Sequence, residues 1–214
     1  MRNRQITSLS EKTFISCSMN KLQAAFDAFD DYNKKDPVVF TWDGTTYPQE
    51  YFLAIKLHEW VLKLDPGASE ELLLASRSQH IGRWESPREN YPMDREGYLK
   101  WRRDLAHFHA DKTSEIMQGV GYDEGVIARV KQIILKQKIK VDSEVQTMEN
   151  ALCLMFLQFQ YEEFLHKHSP EKVINILRKS LIKMDGHGHP FALGLQYSDL
   201  GLQYINEALQ LLNK

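Results

Sequence analysis

The chain has 214 residues, 43% hydrophobic and 26% charged, with a formal net charge of -2. These are the proportions of an ordinary globule long enough to bury a sizeable core. The slight acidity argues against a generally cationic nucleic-acid binder, and no stretch reaches the roughly 20 apolar residues of a membrane-spanning helix. Cys17 and Cys153 lie far apart and give no disulfide framework, so a reducing cytoplasm is the expected compartment.

Residues 1–18 contain no apolar run long enough for a secretory leader and read as a disordered N-terminal extension. From Met19 the pattern is helical almost throughout, and 19–214 read as one domain. Leu22, Ala25, Phe26 and Phe29 recur at helical spacing behind Asn20, a good N-cap, and Asp36-Pro37 ends that helix. "VVFTWDGTTY" (38–47) is the one strand-like stretch, its Asp43-Gly44 suiting a hairpin turn. Pro48 opens a helix to about Leu64, and Ser69-Glu70 begins another that carries "LLLASRSQHIGRW". After the proline-broken loop "ESPRENYPMD", Asp94 caps a helix that stops near Gly119 and Gly121, and Asp123 starts the next, to about Gln137. "KIKVD" leads into a long helix from Ser143 to about His166. Pro170 opens another to Met184, "DGHGHP" is a loop, and Ser198 caps a terminal helix. The expectation is an all-α helical bundle with at most one short β-hairpin.

His80-Ile81-Gly82 matches the start of the first signature of class I aminoacyl-tRNA synthetases, and Lys183-Met184 could pass for part of the second. That signature needs a parallel strand before it, and here a helical run, 70–79, precedes His80. A synthetase is therefore rejected.

Charge is concentrated around the same stretch. Six of the ten arginines (77, 83, 88, 95, 102 and 103) fall within residues 77–103, giving seven positive and four negative charges, a local +3. Arginine suits bidentate recognition of phosphate or carboxylate. On one continuous helix Arg77, His80 and Trp84 share a face. On the next, Tyr98, Arg102, Leu105 and His109 form a stripe flanked by Trp101, with His107 opposite. Gln146, Glu149 and Cys153 share a third stripe, so Glu149 is expected to be partly buried and compensated by an Arg, a His or a metal. Asp142 is a helix N-cap or a further metal ligand. Lys172, Lys179 and Lys183 read as a solvated face, and His187 and His189 as a turn. The competing reading makes the whole cluster a structural network of ion pairs.

The runs "ASRSQHIGRWESPRENYPMDREGYLKWRRDLAHFHADK", "LKQKIKVDSEVQTMENALCLMFLQ" and "VINILRKSLIKM" resemble the bacterial and fungal family called domain of unknown function 4202, over about Met19 to the C-terminus. Some of its relatives carry a glutamyl-tRNA synthetase label. The resemblance carries the family motif onto Arg77, His80, Arg83, Trp84, Pro87, Arg88, Tyr91, Arg95, Tyr98, Trp101, Arg102, His109, Lys136, Asp142, Gln146 and Glu149. Asn150 departs from it, standing where relatives are expected to carry an acid. More remotely, the helical order resembles HD-domain phosphohydrolases. Here, however, Ile81 replaces the aspartate of their His-Asp pair, and His58, their other candidate ligand, lies outside the motif.

The functional expectation is an HD-like protein with an anion-binding cleft for a phosphorylated small molecule or nucleotide, hydrolysing it with metal-activated water. His80, His109 and Glu149 would be the catalytic groups and, with Asp142, ligands of a divalent metal. Arg77, Arg83, Arg88, Arg95, Arg102 and Lys136 would hold the anion, and Trp84, Tyr91, Tyr98 and Trp101 would line the cleft. The alternative is a non-catalytic module binding RNA or an anionic metabolite.

Overall fold

The structure is a computed structural model that describes residues 21–212. The expected extension at 1–18, Asn20 as a cap, and Cys17 lie outside the described residues. Within them the chain is helical apart from one two-stranded antiparallel hairpin, the all-α class expected. No helix among these residues is long and apolar enough to cross a membrane.

The described residues divide into two compact units, 21–54 with 69–135, and 55–68 with 136–212. In unit 1, helix α1 covers residues 21–33. Strands β1 (Val39–Trp42) and β2 (Thr45–Pro48) pair with Trp42 opposite Thr45. Asp43 and Gly44 both take positive φ, 49° and 73°, the mirror-image turn that a right-twisted hairpin needs. Asp36 ties this hairpin to the start of helix α2 (Gln49–Leu64): its Oδ1 accepts from Val38 N and its Oδ2 from Glu50 N, both at 2.9 Å.

Helix α3 (Glu70–Ser78) is capped by Ser69, α4 (Arg95–Val120) by Asp94, and α5 (Glu124–Ile134) by Asp123, each through a side-chain oxygen on a first-turn N–H. Both α3 and α4 pack on α5, burying Leu72, Leu74, Leu105, Met117, Val130 and Ile133. Burial of each such side chain contributes about 1.5–3 kcal/mol.

The expected continuation of α3 through Trp84 does not form. The helix ends at Ser78, where the Ser76 and Ser78 hydroxyls donate back to the Leu73 and Leu74 carbonyls. Gly82 then takes φ 67°, which no helix can carry, and short 3₁₀ turns follow at Arg83–Glu85 and Arg88–Asn90. The common face of Arg77, His80 and Trp84 presupposed an unbroken helix and is lost. With a helix ahead of His80, the strand that a synthetase signature requires is not there either.

Unit 2 holds α6 (Ser143–Phe159), α7 (Tyr161–Lys167), α8 (Pro170–Lys183), α9 (His189–Leu193) and α10 (Asp199–Gln210). The single helix expected to His166 is broken at Gln160 (φ −123°, ψ −17°). Just beyond it, the fully buried Tyr161 donates its hydroxyl to the Gly201 carbonyl at 2.9 Å. The "DGHGHP" stretch is a loop that runs into α9, and its histidines are pinned: His187 Nε2 donates to Leu64 O and His189 Nε2 to Leu181 O, each 2.9 Å.

Candidate functional site

The turn after α3 organises unit 1. Ile81 buries its side chain completely and turns its carbonyl to His109 Nδ1 at 2.7 Å. A carbonyl only accepts, so Nδ1 carries the proton and Nε2 keeps a lone pair. That Nε2 is buried with no hydrogen-bond partner, and the His80 ring centre stands 5.7 Å from that of His109. Burial pushes the His109 pKa down to about 4; the bond to Ile81 opposes this, and the Arg83 and Arg102 charges reinforce it. His109 is thus neutral at pH 7, a buried acceptor of protons.

Glu50 is the residue the sequence reading missed. It sits in the first turn of α2, 3% exposed, its N–H held by Asp36. Oε1 lies 3.8 Å from Arg83 Nε, and Oε2 has no partner. Burial raises its pKa to about 7, with Arg83 and the Gln49 side chain opposing and Asp36 adding to the rise. Arg83 also lies over the Trp101 ring, 5.5 Å from its centre. One arginine therefore acts on two buried acid–base groups, each with an unsatisfied heteroatom.

The other expected residues divide by what already holds them. Arg77 forms a two-point pair with Asp30, Nε to Oδ1 at 2.8 Å and Nη2 to Oδ2 at 2.6 Å, and covers Phe26. Arg88 donates to the carbonyls of Tyr91, Pro92 and Asp94, which fixes the loop ahead of α4. Trp101 is buried and donates Nε1 to Ser86 O, while Trp84 is half-buried and packs on Tyr32. Tyr32 in turn donates to Glu85 at 2.5 Å. Arg95, Tyr98 and Arg102 are exposed on α4, and the two arginines have no ion-pair partner among the described residues. His107 faces outward, as the helical spacing requires.

Glu149, Lys136 and Asp142 belong to unit 2. Glu149 is buried, as the stripe with Gln146 and Cys153 requires, and the charges set against it are lysines rather than an Arg or a His. Lys136 Nζ makes an ionic contact with Oε2 at 2.6 Å, and Lys183 Nζ stands 3.1 Å from Oε1. Burial works to raise the Glu149 pKa, but the two ammonium groups prevail and hold it below the usual value. Lys183 is thus an ion-pair partner rather than simply part of a solvated face. Asp142 caps α6, accepting from Glu144 N and Val145 N. Asn150 is buried, with its amide on Asp185 Oδ1 at 2.8 Å and its oxygen taking Gln146 Nε2 and Asp185 N. Burial and the nearby Glu149 raise the Cys153 thiol to about 12, so it is inert.

Among the described residues no group of three or more His, Cys, Asp or Glu is placed to hold a metal ion. The His80 and His109 rings stand 5.7 Å apart at an interplanar angle of 57°. A groove of about 310 Å³ in unit 2, walled by Trp60, Lys63, Pro190, Phe191, Gly194 and Leu195, has Lys63 as its one titratable side chain and is not the candidate.

The matched sequence settles the kinship. The chain belongs to the family described as Domain of unknown function (DUF4202), whose model matches residues 23–205. Nothing matches among curated proteins, and nothing among solved structures. The DUF4202 span takes in both units, and with them Glu50, His80, Arg83, His109 and Glu149.

Proposed function

We propose that unit 1 binds a phosphorylated small molecule or nucleotide over the His80–Trp84 turn and hydrolyses it. The observation that carries this reading is Arg83 acting on the bare Nε2 of His109 and the bare Oε2 of Glu50. Pairs of titratable groups whose surroundings drive their pKa values apart are the mark of assigned acid and base roles. Arg83 and Arg102 hold the phosphoryl oxygens, and the half-buried Trp84 offers a flat apolar surface beside them. Water attacks phosphorus while His109 Nε2 takes its proton, and the leaving oxygen takes the proton of Glu50, which is shared between both forms near pH 7. Cys153, a free buried thiol, is consistent with a reducing cytoplasm.

The test is turnover of a panel of phosphomonoesters and nucleotides by the full chain, with chelator and with added divalent ions, alongside a metal assay. Phosphate release that falls a hundredfold or more in His109→Gln and Glu50→Gln supports the reading. Release that is absent, or unchanged in both, ends it. Release that also vanishes with chelator makes a divalent ion part of the reaction.

A second reading rests on the exposed Arg95, Tyr98 and Arg102 of α4, one outward strip at helical spacing. It makes the protein a binder of RNA without catalysis. Affinity for a short oligonucleotide that drops steeply with salt, with no turnover, supports it over hydrolysis.

A further inference from the structure

Unit 2 carries a second cluster that the unit 1 site does not use. The turn after α5 reads "KQKIK", and Lys136, Lys138 and Lys140 all take left-handed φ, 53°, 61° and 71°, with no glycine among them. That conformation is disfavoured for any residue with a Cβ, so three lysines there are held by their surroundings. Lys140 is one such anchor: its ammonium donates to the carbonyls of Ile182, Lys183 and Met184 at 3.1, 2.9 and 3.0 Å, docking the turn on the last carbonyls of α8. Gln146 Nε2 takes the Lys183 carbonyl as well, at 3.0 Å.

The side chain of Lys183 then returns to Glu149 beside that of Lys136. Glu149 is 2% exposed, whereas Lys136 and Lys183 are 26% and 52% exposed, so the carboxylate lies beneath and the ammonium groups open outward. Each ammonium has three donors, and the carboxylate uses one side of it. Lysines 136, 138, 140 and 183 against Asp142, Glu149 and Asp185 leave a local charge of four minus three, or +1. Leu135 is right-handed and Lys136 left-handed, the pairing that turns successive N–H groups into an anion-binding concavity.

We propose that Lys136, Lys183 and the N–H groups of the 136–140 turn form a binding site for a phosphoryl group, free phosphate or a phosphate monoester, with Glu149 as the positioning residue. A tetrahedral oxyanion presents oxygens in several directions, which suits two ammonium groups and a curved row of N–H donors. A buried Glu149 is otherwise hard to account for, since an apolar side chain in its place would need no ion pairs. The site lies within unit 2 and does not depend on the reading of unit 1.

Isothermal titration of the full chain with inorganic phosphate, and separately with AMP, tests it. The wild type is compared with Lys136→Gln, Lys183→Gln, the double variant, and Arg102→Gln. Because either substitution takes a partner from the buried Glu149, each variant is also made with Glu149→Gln, and a thermal melt verifies that the protein titrated is folded. The expected result is a bound equivalent that weakens tenfold or more in each single lysine variant, vanishes in the double variant and persists in Arg102→Gln, whereas any further equivalent taken up by unit 1 is lost in Arg102→Gln and untouched by the lysine variants. A sole equivalent lost only in Arg102→Gln belongs to unit 1 and overturns the proposal, as does wild-type protein that binds neither probe. Tighter AMP than phosphate assigns a monoester, and equal affinity assigns free phosphate.

Discussion

Arg83 stands 3.8 Å from Glu50 and lies close enough to His109 to hold its pKa down, so one guanidinium links two buried groups that titrate in opposite senses. Glu50 moves up, from 4.5 to about 7, and His109 moves down, from 6.5 to about 4. Their effects on stability have opposite signs.

For Glu50 the folded protein binds a proton between pH 4.5 and about 7 that the unfolded chain has released. Stability from this residue is therefore full below pH 4.5 and falls as pH rises to 7, by roughly 3 kcal/mol for a shift of this size. Glu50→Gln removes that slope. Its melting temperature is expected to gain on the wild type as pH rises from 5 to 8, and thermal melts at both pH values check this. A difference that stays constant with pH would rule the effect out.

For His109 the unfolded chain binds the proton between pH 6.5 and about 4 while the folded one does not. Its contribution is present above pH 6.5 and is lost on acidification, again by roughly 3 kcal/mol. Between pH 4.5 and 6.5 the two slopes oppose and nearly cancel. His109→Phe, which keeps a ring in place, therefore leaves the Glu50 slope exposed, with stability rising as pH falls. Its baseline is lower, because the Ile81 carbonyl loses its donor, a cost of about 1–3 kcal/mol. Urea melts at pH 4.5, 5.5 and 6.5 read the slope separately from the baseline.

Arg77 and Arg102 look alike in the sequence and are expected to behave in contrary ways. Arg77→Met strands Asp30, whose side chain is 12% exposed, and should cost about 3–5 kcal/mol of stability. The double variant Arg77→Met with Asp30→Leu recovers most of it. Arg102→Gln, exposed and without an ion-pair partner among the described residues, should stay within about 0.5 kcal/mol of the wild type. It should instead weaken binding of a phosphorylated ligand to unit 1 tenfold or more. Urea melts paired with titration separate the two roles, and an Arg77 variant that lost affinity but not stability would reverse them.

What the sequence disclosed follows from how local each signal is. Ser69, Asp94, Asp123, Asp142 and Ser198 are caps as expected, because a cap needs only its own turn. The hairpin turn at Asp43-Gly44 was legible too. Glu50 was not, since an acid in a first turn reads as a partner of the helix dipole. Its N–H goes to Asp36, fourteen residues away, and its carboxyl is buried, neither of which a local pattern announces. Lys183 escaped for a related reason: a lysine at a helix end looks solvated until Glu149, on another helix, is found beneath it. The end of α3 was misread because Gly82 inside a helical pattern is a weak signal, and serine back-bonding to Leu73 and Leu74 leaves no periodicity.

Gly97 gives a test of the loop that leads into α4. Gly97 is the third residue of α4, and within a helix alanine is ordinarily favoured over glycine by about 1 kcal/mol. Here a Cβ would fall 2.1 Å from the Pro92 carbonyl oxygen, which no backbone contact tolerates. That carbonyl is fixed by Arg88 at 2.6 Å, and Arg88 also holds Tyr91 and Asp94, so the whole loop must move to make room. Gly97→Ala is therefore expected to destabilise unit 1 by about 2 kcal/mol or more, against its helix propensity, through strain at a position the surroundings over-determine. Adding Arg88→Ala frees the carbonyl, so the second substitution should cost less in the alanine background than in the wild type. A double-mutant cycle on melting curves measures that coupling, and additive losses would mean that Arg88 does not hold the loop against Gly97.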